Sequence, residues 1–122
     1  MKSRLVISAL VTACILSCAM VHVFAAPKGE AVTISGEIVD LHCYLDREAK
    51  GEGHKTCAAT CCKSGHPVAL LTDKGDLYLL MGEKKNQTAN DMFADKMATT
   101  VSVTGVQVKK GGLQAIYVSS VK

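Results

Sequence analysis

The stretch "VTISGEIVDLHC", residues 32–43, decides the fold because apolar and polar residues alternate on both sides of a central glycine. Alternation with a period of two is typical of a β-strand that has one face in a core. Apolar residues take the even positions before Gly36 and the odd positions from Val39 onward. A glycine at such a change of parity predicts a β-bulge in a long, bent first strand.

Four further strands are predicted from apolar runs bounded by turn residues. The runs span residues 67–72, 77–81, 101–108 and 113–121. The first two are joined by Asp73-Lys74-Gly75-Asp76, which suits a tight hairpin. The parity of the fourth run changes again, at Gly105, and this predicts a second bulge.

One helix is predicted between the third and fourth strands, over residues 88–97. Thr88 is a capping residue with an acid, Asp91, three positions further on. The residues that share one helical face are Ala89, Met92, Phe93, Lys96 and Met97. We expect Met92 and Met97, together with Met81 of the third strand, to pack in the core rather than to act as thioether ligands.

The order strand, strand, strand, helix, strand, strand predicts an all-β fold with one short helix, a five-stranded OB-fold-like barrel. The barrel forms a single domain over residues 26–122, with a cysteine- and histidine-containing loop and a short helix after strand one. An SH3-like barrel has similar strand spacing, but the helix after strand three favours the OB arrangement.

The N-terminal segment, residues 1–25, is predicted to be an export signal. Lys2 and Arg4 precede an apolar run that ends in small residues, and cleavage after Ala25 would leave Ala26 as the mature N-terminus. We therefore expect a periplasmic or secreted protein. Contact with a membrane is expected only if the segment stays uncleaved or if Cys18 is lipidated.

The charge balance argues against a nucleic-acid partner. The chain has 14 Lys and Arg residues against 11 Asp and Glu, and loss of Lys2 and Arg4 leaves 12 against 11. Nucleic-acid binders usually carry a basic stripe. A covalent haem motif, a phosphate-binding loop and a hydrolase triad are also missing from the sequence, so we expect a binding protein rather than an enzyme.

The stretch "HKTCAATCCKSGH", residues 54–66, contains most of the candidate ligands. If it is helical, His54, Cys57 and Cys61 lie within about 60° of one another, and Cys62 points elsewhere. Cys43, at the end of strand one, can complete a set of three cysteines and one histidine, which suits tetrahedral zinc. The predicted metal ligands are therefore Cys43, His54, Cys57 and Cys61.

Other uses of the same cysteines remain open. An oxidising compartment favours disulfides, and Cys43 can bond to one of the later cysteines and pin the loop to the barrel. One such bridge leaves two sulfurs that, with a histidine, can hold a soft ion such as Cu(I). A thiol-disulfide redox protein is the third option, although the chain lacks a C-x-x-C motif. We expect His42 and His66 to be surface residues and Asp40 to be a turn-forming acid rather than a partner of a histidine.

Several motif residues run through the mature chain: Gly36-Glu37-Ile38-Val39-Asp40, Cys43, His54-x-x-Cys57-x-x-x-Cys61, Gly65-x-Pro67 and Val103-Thr104-Gly105. In these residues the chain resembles a group of exported bacterial OB-fold proteins of largely unknown function. The resemblance implies the fold, the location outside the cytoplasm and a Cys/His cluster after strand one. The function expected is that of a small extracytoplasmic binding module for a metal ion, zinc or copper, or for an extracytoplasmic protein.

Overall fold

The computed structural model describes residues 27–122, so the predicted export signal lies outside the described residues. The strands are β1 (Glu30–Asp40), β2 (Val68–Leu71), β3 (Leu77–Gly82), β4 (Thr100–Lys110) and β5 (Leu113–Val121). The α-helices of this range are α1 (Leu41–Arg47), α2 (Lys55–Lys63) and α3 (Ala89–Phe93), and a 3₁₀ turn spans Glu52–His54. Within the described range, no helix combines the length and the apolar character needed to cross a membrane.

The five strands close into a barrel in the order β1-β2-β3-β5-β4. β1 is long enough to pair antiparallel with two neighbours, with β4 through residues 30–37 and with β2 through residues 37–40. β3 and β5 pair in parallel, and the remaining pairs are antiparallel. The predicted mostly-β barrel of five strands is confirmed, and the topology is consistent with an OB-like barrel.

The main core fills the barrel and includes residues from two helices. Its fully buried members include Ile38, Leu70, Val103 and Ile116 from the strands. Phe93 and Met97 of the α3 region are buried in the same cluster, as are Ala58 and Cys62 of α2. Both helices are therefore held against the barrel by apolar burial, which provides most of the stability of such short helices.

The predicted change of parity in β1 is wrong. Ile38 stays in the main core with Val32 and Ile34, while Val39 is buried in a second cluster on the other face, with Ala69 and Leu71. The end of β1 is thus buried on both faces. Apolar residues therefore occupy successive positions there, and in the sequence this pattern resembles a change of parity.

The two glycines of the long strands have different roles. The pairing of β1 runs through Gly36 without a shift, so the bulge predicted there is absent. A Cβ atom at Gly36 would lie 2.5 Å from the carbonyl oxygen of Leu71, and the glycine therefore permits a close approach of two strands. At Gly105 the predicted bulge is confirmed, because the register of β4 on β5 shifts between Thr104 and Gly105.

The short helix expected after strand one is present as α2, whereas α1 and the 3₁₀ turn were not predicted. Leu41 and Cys43, which were expected to continue strand one, lie in α1. The capping box of Thr88 and Asp91 is confirmed, but α3 has five residues rather than the ten predicted. Met97 and Met92 pack against the core as expected, whereas Met81 is 37% exposed.

Candidate metal site

The candidate site is built from the insertion between β1 and β2, residues 41–67. The N–H of Leu41 donates to the carbonyl of Pro67 at 2.9 Å, and Asp40 is paired with Val68 across the two strands. The chain therefore leaves the barrel and returns to it at the same place. Side chains from the start, middle and end of the insertion meet around Asp40.

The first helix of the insertion places Cys43 in the interior. The side chain of Asp40 accepts a hydrogen bond from the N–H of Cys43 at 3.1 Å and so caps α1. Cys43 is 4% exposed, and a guanidinium nitrogen of Arg47, one turn later, lies 3.6 Å from its Sγ. Arg47 places a positive charge beside a sulfur that becomes negative when it binds a metal.

His54 is placed by the loop that follows α1. The carboxylate of Glu37, on β1, accepts a hydrogen bond from the N–H of Gly51. Gly51 has a positive φ of 76°, and its carbonyl accepts the N–H of His54 at 2.9 Å. His54 ends the 3₁₀ turn directly before α2. Its Nε2 atom is buried and has no hydrogen-bond partner in the described part of the chain.

The donors of Cys43, His54 and Cys57 converge. The two Sγ atoms and one ring nitrogen of His54 all lie within 4.8 Å of one another. We call these residues the first trio. The trio contains three of the four predicted ligands, brought together from α1, the 3₁₀ turn and the first turn of α2.

The fourth predicted ligand, Cys61, lies in a neighbouring group. Its Sγ, a carboxylate oxygen of Asp40 and a ring nitrogen of His66 lie within 4.8 Å of one another, and we call these residues the second trio. Cys61 lies close enough to Cys43 for each thiol to affect the pKa of the other. The two trios are therefore neighbours within the insertion.

Asp40 connects the second trio to the fold. Its Oδ2 lies 3.2 Å from Nδ1 of His66, and its side chain is fully buried while that of His66 is 37% exposed. Burial alone would raise the pKa of Asp40, but hydrogen bonds from the Cys43 N–H and the Cys61 thiol, with the charge of His66, lower it. Asp40 is thus a buried carboxylate that stays ionised because donors surround it.

The same carboxylate keeps the nearby thiols protonated. Burial, the hydrogen bond to Asp40 and its charge raise the pKa of Cys61 to about 12. Burial and the charge of Asp40 likewise raise the pKa of Cys43. Both sulfurs are therefore thiols at neutral pH in the metal-free protein, and an ion that binds there must displace their protons.

Cys62 lies outside both trios, as its angle on the helix predicted, but it is part of the core. It is 1% exposed, and its thiol donates to the carbonyl oxygen of Asn90 at 3.6 Å. The side-chain amide of Asn90 donates in turn to the carbonyls of Cys62 and His66, each at 2.7 Å. Asn90 thereby joins α3 to the end of α2 and fixes the backbone of His66.

Asp40 caps α1 at the end of strand one, in line with its expected turn-forming role, but the contact between Asp40 and His66 was not predicted. Asp40 was expected to be a turn-forming acid and His66 a surface residue, yet they contact each other within the site. The order of the strands contained a usable signal, because antiparallel pairing of two successive strands places the end of one beside the start of the next. His42 is exposed, as expected, and its ring lies edge-on to that of His66 at 5.1 Å.

All four cysteines of residues 27–122 are unbonded thiols, so the disulfide staple considered from the sequence is not formed here. Comparison with models of protein families, with curated proteins and with solved structures gave no match to this chain. The chemistry of the site is therefore inferred from its own residues.

Proposed function

We propose that this protein is a small exported binding module, periplasmic or secreted, in which an OB-type barrel presents a transition-metal site. The ion, zinc or copper, is bound by Cys43, His54 and Cys57. The observation that supports this most directly is the convergence of two thiols and one imidazole from three different elements within 4.8 Å.

The donor chemistry favours a borderline or soft ion. Thiolate and imidazole are the usual ligands of Zn²⁺, and thiolates also select Cu(I) over harder cations. The buried, unpartnered Nε2 of His54 adds support, because a buried polar atom without a partner costs about 1–3 kcal/mol. An ion, or a hydrogen bond made when the ion is bound, would remove that cost.

The protonation of Cys43, Cys61 and Cys62 argues against a redox role for these three cysteines. A nucleophilic cysteine needs a lowered pKa, because the thiolate is the reactive form. The pKa values of Cys43, Cys61 and Cys62 are all raised. A metal ion overcomes a high thiol pKa by direct competition with the proton, whereas a disulfide-exchange enzyme depends on the free thiolate.

The metal proposal is tested with His54→Ala and, as a matched control, His42→Ala, which removes an exposed imidazole outside both trios. Reduced protein is titrated with Zn²⁺ or Cu(I), and bound metal is counted by native mass spectrometry. We expect His54→Ala to weaken binding by at least tenfold and His42→Ala to bind like the wild type. Equal binding by the wild type and His54→Ala would refute the first-trio site.

Export is tested separately on protein recovered from the producing bacterium. We expect mass spectrometry to find Ala26 as the mature N-terminus. An acylated Cys18 would instead show a lipid-anchored protein, and a mass about 2 Da below that of the reduced chain would show a disulfide form.

A further inference from the structure

We infer that the protein binds a second metal ion beside the first, through Asp40, Cys61 and His66. The inference rests on the proposed function, because both ions would be bound by the same insertion and by neighbouring cysteines. It assigns Cys61 to a different ion from the one held by Cys43, His54 and Cys57.

The number of donors supports two ions rather than one. The two trios together offer three sulfurs, two imidazoles and one carboxylate, whereas a tetrahedral zinc ion takes four ligands. A single ion with the ligands Cys43, His54, Cys57 and Cys61 would leave Asp40 and His66 unused. Those two side chains already form a contact of 3.2 Å beside Cys61.

The charges of the donors lead to the same assignment. With its thiols deprotonated, the first trio carries two negative charges, from Cys43 and Cys57. The second trio also carries two, from Asp40 and Cys61. One divalent ion in each trio offsets the two charges of that trio. A single divalent ion bound to all three thiolates would leave two excess negative charges around a fully buried carboxylate, of which the guanidinium of Arg47 could offset only one.

The second trio is also held in place by residues outside it. Asp40 is fixed by its bond to the N–H of Cys43, and the backbone of His66 is fixed by Asn90. Cys61 and His66 belong to one local unit, because the N–H of His66 donates to the carbonyl of Cys61 at 3.0 Å. Ligands fixed in this way need little reorganisation when an ion binds.

The second ion is of the zinc type. A carboxylate, an imidazole and a thiolate together suit Zn²⁺ better than Cu(I), which prefers sulfur-rich sets. Three protein ligands leave at least one position of a tetrahedral ion for water or for a small anion. Since His66 is 37% exposed on its side chain, that position is within reach of solvent through the histidine side of the trio.

The test is a Zn²⁺ titration of reduced full-length mature protein, followed by native mass spectrometry and by alkylation of unprotected cysteines. We expect the wild type to bind two ions and to protect Cys43, Cys57 and Cys61. His66→Ala and Cys61→Ser should each bind one ion with Cys57 still protected. His54→Ala should retain one ion with Cys61 protected.

Other outcomes separate this inference from the proposed function. If the wild type binds one ion and only His54→Ala and Cys61→Ser weaken it, one four-ligand site exists and the second site is refuted. If the wild type binds one ion that depends on His66 but not on His54, the first-trio function fails and the two-ion inference fails with it. Melting curves of each metal-free variant show whether a loss of binding reflects unfolding. If His66→Ala is unfolded, Asp40→Asn replaces it as the test of the second trio, because asparagine keeps the helix cap.

Discussion

At the scale of single residues, Asp40 has the largest number of roles in the site. It is the last residue of β1, caps α1 through Cys43 and contacts His66, all with a fully buried side chain. A buried carboxylate is tolerated only when donors surround it. The same surroundings that keep Asp40 ionised also raise the pKa of its neighbour Cys61.

We predict that Asp40→Ala lowers the free energy of unfolding of the metal-free protein by about 1–2 kcal/mol, through loss of the cap and of the partner of His66. Asp40→Asn should cost less, because asparagine caps a helix as well as aspartate does. Urea unfolding at neutral pH measures both. Equal losses for the two variants would contradict the capping role.

A second prediction concerns the thiols and pH. The folded-state pKa of Cys61, about 12, lies above its ordinary value of 9.0, so the unfolded chain loses this proton first as the pH rises. The stability contributed by the neutral thiol is therefore complete below about pH 9 and falls between pH 9 and 12.

We expect the metal-free, reduced protein to unfold at lower urea concentration at pH 10 than at pH 8. Cys61→Ser cannot ionise in this range and should lose less stability over the same interval. A wild type that is equally stable at both values would contradict the raised pKa values of its thiols.

At the scale of elements, polar contacts hold the insertion in position, and close approaches between strand backbones shape the barrel that carries it. Two polar contacts hold the insertion. Glu37 of β1 accepts a hydrogen bond from the N–H of Gly51, and Asn90 of α3 donates one to the carbonyl of Cys62 near the end of α2. Within the barrel, glycine permits the backbones of paired strands to approach closely at two positions, Gly36 and Gly105. At Gly105, a Cβ atom would lie 2.1 Å from the carbonyl oxygen of Tyr117.

We predict that Gly105→Ala destabilises the protein by about 1–3 kcal/mol, because the backbone of β5 must move to admit the methyl group. The matched control is Gly53→Ala, since no atom lies within 4 Å of a Cβ there and the φ angle is not positive. Thermal unfolding of the two metal-free variants makes the comparison. A Gly105→Ala protein as stable as Gly53→Ala would show that the bulge adapts freely.

At the scale of the whole molecule, the barrel serves as a frame that joins distant parts of the chain. β1 pairs with β4 along one half and with β2 along the other, so both ends of the insertion are anchored in the sheet. Asp40 and His66, which are 26 residues apart and are proposed here as metal ligands, are thereby brought into contact. An ion that binds across the insertion should therefore stabilise the complete fold.

We predict that Zn²⁺ at 100 times its dissociation constant raises the free energy of unfolding by about 2.7 kcal/mol for each bound ion. Calorimetry with increasing Zn²⁺ should show a concentration-dependent melting temperature, and a chelator should reverse the rise. His54→Ala should show a smaller rise than His42→Ala. A melting temperature that does not respond to Zn²⁺ would contradict binding to the native state.

The sequence by itself determined the features that depend on local pattern. Alternation located β1, and apolar runs bounded by turn residues located the other four strands, with β5 matching its predicted bounds. The Thr88–Asp91 box marked the start of α3. Helical spacing placed His54 and Cys57 near each other and turned Cys62 away. These properties follow from backbone periodicity and from contacts between residues a few positions apart.

Only the tertiary structure decided which distant side chains meet. Because β1 is buried on both faces at Ile38 and Val39, its sequence pattern falsely indicated a bulge in a strand that is continuous. The cap at Asp40 begins a helix at residues for which the pattern predicted more strand. The closure of β1 on β2 then placed Asp40 beside His66 and drew Cys61 toward both. Such contacts depend on which remote segments pair as strands, and the periodicity within a single segment does not specify its partner.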